Sequence, residues 1–104
     1  MKPPLVRYRD RLIRALGNPE EASAYLNAAL DEGDKDFFLK ALRDVIEAQG
    51  GMSKFAKAAK LNRVSAYKML GAHGNPGFES ILRILKAAGV RFQVSPSVHH
   101  PKAA

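Results

Sequence analysis

The sequence contains no cysteine among its 104 residues. This absence excludes disulfide bonds, zinc sites built on thiolates and cysteine nucleophiles. No apolar run approaches the ~20 residues that a membrane-spanning helix requires, and residues 1–10 have no continuous apolar stretch of the kind found in signal peptides. We therefore expect a cytoplasmic protein with no membrane partner.

Patterns typical of catalysis and metal binding are also missing. The sequence has no phosphate-binding loop and no recognisable pair of nucleophile and base, so we expect no enzymatic activity and no catalytic residues. Its histidines are His73, His99 and His100, and the last two lie in a C-terminal segment without acidic or cysteine companions. We predict no metal site and no cofactor.

Positive charge is concentrated in one half of the chain. Residues 1–33 contain five basic and five acidic side chains, and residues 34–50 contain three and four. Residues 51–104 contain nine basic side chains and a single acidic one, Glu79. This asymmetry indicates a polyanionic partner for the C-terminal half, most often nucleic acid. A basic surface kept for solubility is the alternative.

Helix signals dominate the chain, so we predict an all-α fold. Residues 5–16 have an apolar face surrounded by arginines, which favours a short amphipathic helix or an ordered arm. Two longer helices are predicted to follow, with Asn18 and Asp34 as their N-caps. Glycines mark the ends of these segments, namely Gly17, Gly33 and the pair Gly50-Gly51.

The next two predicted helices are short and close together. We expect one over residues 54–59, capped by Ser53, and another over residues 63–70, capped by Asn62. A tight turn at residues 60–62 separates them. This spacing is typical of a helix-turn-helix, in which two short helices pack at a steep angle across a turn.

The apolar residues of this segment support the same interpretation. A helix-turn-helix needs a small residue where its helices cross, and Ala56 meets this need, while Leu61 follows the turn as an apolar plug. Lys60 stands where glycine is usual, and a left-handed backbone there costs about 1 kcal/mol. The other predicted core residues are Phe55, Ala59, Ala66, Met69 and Leu70.

The outward side chains of the same segment suit duplex DNA. A recognition helix places its N-terminal residues near base edges in the major groove. Arg63 is suited to a bidentate contact with guanine and Val64 to a thymine methyl group. An ordinary helical hairpin with solvated lysines is the alternative. The predicted DNA-binding residues are Ser53, Lys54, Lys57, Lys60, Asn62, Arg63, Val64, Ser65, Tyr67, Lys68 and His73.

The C-terminal part is predicted to contain a fifth helix over residues 78–88 and a short strand over residues 90–94, where apolar and polar side chains alternate. One recognition helix covers few base pairs, so we expect a homodimer on a palindromic operator. The fifth helix and the edge strand are the predicted dimer contact. The expected division is residues 1–17 as an N-terminal arm or helix, 18–94 as the DNA-binding domain and 95–104 as a disordered tail.

Residues 8–92 also resemble a known family. The similar stretches are YLNAALDEGD at 25–34, FFLKALRDVIEAQGGMSKFAKAAKLNRVSAYKML at 37–70 and GNPGFESILRILKAAGVRF at 74–92. They are similar to the probable addiction module antidote proteins, which are HigA-like antitoxins of the lambda-repressor-like (Xre) helix-turn-helix superfamily. The resemblance implies a five-helix DNA-binding domain that dimerises, represses its own operon and binds a small RelE/ParE-like toxin.

The recognition segment of that family usually reads close to GLSREGLYKAL, whereas this chain has KLNRVSAYKML at residues 60–70. The positions that differ from the family sequence affect which operator sequence the protein recognises, and we still expect it to bind DNA. The matching residues are Leu61, Arg63, Tyr67, Lys68 and Leu70. The departing residues are Lys60, Asn62, Val64, Ser65, Ala66 and Met69.

Two other functions remain open from the sequence. The first alternative to a DNA-binding antitoxin is an interaction module that binds a partner through residues 1–50 and uses the helix-turn-helix fold as a scaffold. The second is a solitary Xre-type regulator without a toxin. The near-neutral N-terminal half, which is rich in leucine and aromatic residues, supports the first of these alternatives.

Overall fold

The computed structural model describes residues 4–97, and the side chains of residues 7–97. This part of the chain is all-α, as predicted, and its N-terminal segment is a helix rather than an arm. None of its helices is long and apolar enough to cross a lipid bilayer. The helices are α1 (Pro4–Leu16), α2 (Pro19–Asp31), α3 (Lys35–Ala48), α4 (Met52–Ala58), α5 (Arg63–Met69) and α6 (Phe78–Ala87).

Local side-chain chemistry sets the start of α2 and of α3. The Asn18 side chain accepts a hydrogen bond from the backbone N–H of Glu20 at 2.8 Å. The Asp34 side chain accepts one from the backbone N–H of Asp36 at 3.0 Å. Each bond satisfies a donor that the helix itself leaves unpaired, so both predicted N-caps are confirmed.

The core is centred on α3, against which α1, α2 and α4 pack. Leu42 and Val45 of α3 are fully buried, and their neighbours in the core include Leu70 at the end of α5 and Ile84 of α6. A single apolar cluster therefore joins the N-terminal helices to the helix-turn-helix segment. Burial of these side chains fixes α4 relative to the larger helices and so supports the surface that α4 and α5 present.

A polar cluster ties α1 and α2 to α3. Asp44, 4% exposed, accepts hydrogen bonds from the Tyr25 hydroxyl at 2.7 Å and from the Arg9 guanidinium at 3.1 Å, and Lys40 lies 3.5 Å away. Arg9 also pairs with Glu47. Burial and the hydrogen bond to Asp44 raise the pKa of Tyr25 to about 12, so the phenol stays a neutral donor at physiological pH.

The start of α4 differs from the prediction. The helix begins at Met52 with Gly51 as N-cap residue, and no side chain caps it. Gly51 has a φ of 95°, a left-handed conformation that glycine adopts at little cost. Because the chain turns into the helix at Gly51, Ser53 already lies in the first turn, and its assignment as the N-cap was wrong.

The predicted strand over residues 90–94 is not formed either. The backbone N–H of Val90 donates to the carbonyl of Leu85 at 3.0 Å, which holds the segment against the end of α6. A strand needs a neighbouring strand to pair its backbone groups, and residues 4–97 provide none. Residues 95–97 continue without regular structure, and the rest of the predicted tail, with His99 and His100, lies outside the described residues.

Candidate nucleic-acid interface

The turn between α4 and α5 has the predicted left-handed residue. Lys60 has a φ of 56° and is the one non-glycine residue with positive φ in the described chain. Its N–H donates to the carbonyl of Lys57 at 3.2 Å, and the N–H of Leu61 donates to the carbonyl of Ala56 at 2.7 Å. These bonds close the C-terminal end of α4 and direct the chain into α5.

Asn62 starts α5 as predicted. Its side-chain oxygen accepts a hydrogen bond from the backbone N–H of Ser65 at 3.1 Å. The cap pairs one of the open donors of a helix that has only seven residues. Because the oxygen is engaged in the cap, the side-chain amide nitrogen is the part of Asn62 that a ligand would meet.

The inner faces of α4 and α5 are apolar and buried, which confirms the predicted core side of the unit. Ala56 is 3% exposed, and its small side chain suits the place where the two helices pack together. Leu61 and Met69 are half-buried against the core. The fully covered members of this face are Phe55, Ala56, Ala59, Ala66 and Leu70.

The outer face of α5 is exposed, polar and cationic. Tyr67 is 51% exposed, and the guanidinium carbon of Arg63 lies 5.7 Å from its ring centroid, which is a cation–π arrangement. Neither Arg63 nor Lys68 forms an ion pair within residues 7–97. The exposed residues on this helix are Arg63, Val64, Ser65, Tyr67 and Lys68.

The remaining predicted contact residues are spread around α5. Ser53, Lys54 and Lys57 are exposed on α4, and His73 is exposed in the loop that follows α5. In that loop Gly74 packs directly on the end of α5, since a Cβ there would lie 1.9 Å from the carbonyl oxygen of Met69. Gly74 therefore sets the path of the loop that carries His73.

Arg43 is a positioning residue that the sequence did not reveal. Its guanidinium, on α3, donates to the backbone carbonyl of Leu70 at 2.6 Å. This bond satisfies a carbonyl at the C-terminal end of α5 and holds that end on the central helix. The two residues are 27 positions apart, and no local pattern links them, so sequence reasoning had no signal for the contact.

Two further cations, Arg83 and Lys86, were also absent from the predicted set. Both are exposed on α6, and folding places them beside Lys60 in a cleft of about 350 Å³. Their spacing of three residues puts them on one face of a helix, and this spacing is a sequence signal from which they could have been recognised as a pair. It did not point to Lys60, because that proximity depends on how α6 packs against α4.

Other ligand chemistry is not favoured by the described residues. No group of three or more His, Asp or Glu side chains in residues 7–97 is arranged to hold a metal ion. The acidic side chains near the helix starts act as caps or lie exposed, as Asp34 does at α3. The cationic face of α5 is therefore the strongest candidate for a functional surface.

Comparison with known proteins gives an independent result. Residues 10–96 match a family model described as probable addiction module antidote protein. An uncharacterized protein of Haemophilus influenzae is 38% identical over 82 residues, which cover 79% of this chain and 84% of that protein. No solved structure shows significant similarity to the chain.

Proposed function

Because this chain belongs to the family of probable addiction module antidote proteins, we propose that it is a cytoplasmic antitoxin that also represses its own operon. In this proposal it binds operator DNA and neutralises a RelE/ParE-like toxin. The observation that supports DNA binding is the α4–α5 pair, which buries its apolar side chains and leaves Arg63, Tyr67 and Lys68 exposed.

The DNA contacts of the proposal follow from side-chain chemistry. With α5 in the major groove, Arg63 contacts guanine through its two parallel N–H groups and Val64 contacts a thymine methyl group. Stacking on Tyr67 restricts Arg63 beforehand, so less side-chain entropy is lost on binding. The phosphate contacts come from the cations of α4, the turn and the end of α5, namely Lys54, Lys57, Lys60 and Lys68.

Toxin binding is assigned to α2 and α3 rather than to α4 and α5. Leu30 and Phe37 are 46% and 49% exposed, and Leu30 borders a small groove whose α2 and α3 side, with Leu26 and Phe38, is assigned to the toxin. A large exposed apolar side chain at the edge of a groove favours a protein partner. The exposed side chains of Leu30 and Phe37 belong to α2 and α3, so this surface stays accessible while α5 contacts DNA.

Dimerisation remains part of the proposal, but the residues proposed to form the dimer interface differ from those predicted from the sequence. Since residues 90–94 form no strand, edge pairing is replaced by apolar side chains of α6 and of the segment after it. Phe78 and Phe92 pack edge-to-face at 5.7 Å between ring centroids, and each is still at least 45% exposed. Leu82 and Val94 are exposed as well. A two-fold dimer through this surface would present two copies of α5 to a palindromic site.

DNA binding is tested by fluorescence anisotropy with a duplex from upstream of the protein's own reading frame. We expect Arg63→Ala to weaken binding to this duplex by about 1–3 kcal/mol. Lys68→Ala should weaken binding to all sequences and reduce the slope of log K against log salt by about one unit. Lys35→Ala, an exposed cation at the start of α3, is the matched control.

The competing function predicts a different result. If the wild-type protein, shown to be folded by circular dichroism, has no salt-dependent affinity for duplex DNA, the helix-turn-helix fold is only a scaffold. The exposed groove beside Leu30 favours that alternative, in which a protein partner is the whole function.

The antitoxin role is tested in cells. The short basic reading frame expected beside this gene should inhibit growth when expressed alone, and co-expression of this protein should restore growth. We expect the Arg63→Ala, Lys68→Ala double variant to restore growth as well, because the proposed toxin surface does not include α5. If no neighbouring product is toxic or binds the protein, a solitary regulator is the better description.

A further inference from the structure

A cleft between the α4–α5 turn and α6 collects three cations from two parts of the chain. Its volume is about 350 Å³. Its lining consists of three basic and three small residues, Lys60, Arg83, Lys86, Ala58, Ala59 and Ala87. We propose that this cleft is a binding site for a phosphate group.

The cleft has a strong excess of positive charge. Glu79 pairs with Arg83 at 2.6 Å but is itself largely exposed. Lys60 and Lys86 form no ion pair with any described residue. Glu79 is also the single acidic residue after Glu47, so no second carboxylate from this half of the chain is available to neutralise the site. Like charges in one cleft repel each other, and a bound anion reduces that repulsion.

The shape of the cleft suits a compact anion. The three alanines have no side chain beyond Cβ, so a phosphate group can approach the surface closely. The longer side chains of Lys60, Arg83 and Lys86 can then contact its oxygens. Glu79 lies one turn before Arg83 and fixes the direction of its guanidinium. A guanidinium held in this way presents parallel N–H donors that match two phosphate oxygens.

Lys60 supplies a separate argument. It has a left-handed backbone with a φ of 56°, which glycine adopts without strain and lysine does not. The strained backbone conformation of Lys60 is retained, and its ammonium group lies at the cleft. A role for that ammonium in ligand binding explains why a long cation, rather than glycine, occupies the turn.

Two sources can provide the phosphate group. One is a phosphodiester of bound DNA, because Lys60 lies two residues before Asn62, the N-cap of α5. In that case the inference rests on the proposed function and extends the DNA contacts to α6. The other is a small phosphate-bearing ligand, and then the site is independent of DNA binding.

The test uses Lys86→Gln, Arg83→Gln and their combination in the full chain, with Lys35→Gln as the matched loss of one exposed charge. The first arm measures affinity for the upstream duplex across a salt series. If DNA provides the phosphate, each cleft substitution should weaken binding about fivefold at physiological salt and reduce the salt slope by about one unit. Lys35→Gln should leave both quantities unchanged.

The second arm titrates inorganic pyrophosphate into the ¹⁵N-labelled protein. A small phosphate ligand would shift the backbone amide signals of Lys60 and Ala87 in the wild type and in Lys35→Gln, but not in the double cleft variant. Equal melting temperatures by circular dichroism establish that every variant is folded.

The arms separate the possible results. If the cleft variants bind DNA more weakly than the wild type, the site binds a phosphate of DNA. If the variants differ from the wild type only in the pyrophosphate titration, the site binds a small phosphate ligand. If the wild type binds no DNA while pyrophosphate shifts those amides, the proposed function fails and the site stands. The site is refuted if the cleft variants match the wild type in both arms.

Discussion

A buried carboxylate, that of Asp44, holds side chains from α1 and α2 on the central helix. Burial of an ionised group is costly unless hydrogen bonds and opposite charge replace its hydration. Tyr25 and Arg9 provide both, at 2.7 Å and 3.1 Å, and the carboxylate contacts in turn raise the pKa of Arg9. Replacement of the Asp44 carboxylate by an amide should therefore remove the charge and leave only one of the two acceptor oxygens for these donors.

The replacement Asp44→Asn tests this at the scale of one residue. We expect it to lower the free energy of unfolding by about 1–3 kcal/mol, because a buried charged hydrogen-bond acceptor is lost. Glu47→Gln is the control, since it removes the other partner of Arg9, which is 59% exposed, and should cost at most about 1 kcal/mol. Urea denaturation measures both, and equal effects would show that burial of Asp44 is unimportant.

Among elements, α5 depends most on its surroundings. It has seven residues, and an isolated helix of this length is unstable in water. Three tertiary or capping features hold it, namely the Asn62 cap at its start, the burial of Ala66, and the bond from Arg43 to the carbonyl of Leu70 at its end. The proposed recognition surface is therefore only as ordered as these contacts make it.

The cap is the feature of α5 that is most easily tested. Asn62→Ala should lower the free energy of unfolding by about 1 kcal/mol, because the N–H of Ser65 loses its acceptor. Asn62→Ser keeps a capping oxygen and should retain most of the stability. Thermal melts compare the two variants. If alanine and serine destabilise the protein equally, the cap contributes little to α5.

Sequence reasoning succeeded for elements whose signals are local. The caps Asn18, Asp34 and Asn62, and the left-handed turn at Lys60, each depend on a few neighbouring residues. It failed at Ser53, where two adjacent glycines in left-handed conformations moved the helix start. It failed again at residues 90–94, since alternation of side chains does not create a partner strand.

At the scale of the whole molecule, the proposed DNA surface on α4 and α5 and the proposed toxin surface on α2 and α3 lie on different helices. Positive charge is concentrated after residue 50, in the part that forms α4 to α6, whereas α1 and α2 pack on α3. This separation permits simultaneous binding of DNA and a protein partner in our proposal. The exposed apolar side chains Phe78, Leu82 and Val94, on α6 and the segment after it, remain for a second copy of the chain.

Dimerisation is tested by sedimentation equilibrium at micromolar concentration. We expect the wild type to be a dimer and Val94→Asp to be a monomer, because a carboxylate in an apolar interface loses its hydration. Val94 is 82% exposed in the single chain, so the substitution should not disturb the fold. Phe37→Asp, an exposed apolar residue on α3, should leave the dimer intact. A monomeric wild type would argue against this interface.

The helical class, most helix starts and the exposed and buried sides of α4 and α5 were predictable because each follows from residues close together in the chain. Three features were not, namely the Asp44 cluster, the bond from Arg43 to Leu70, and the approach of Lys60 to Arg83 and Lys86. They join residues that are distant in sequence, and only the packing of helices onto α3 and α4 brings these side chains together. Local propensity acts within a few residues, whereas such contacts depend on how the whole core is filled.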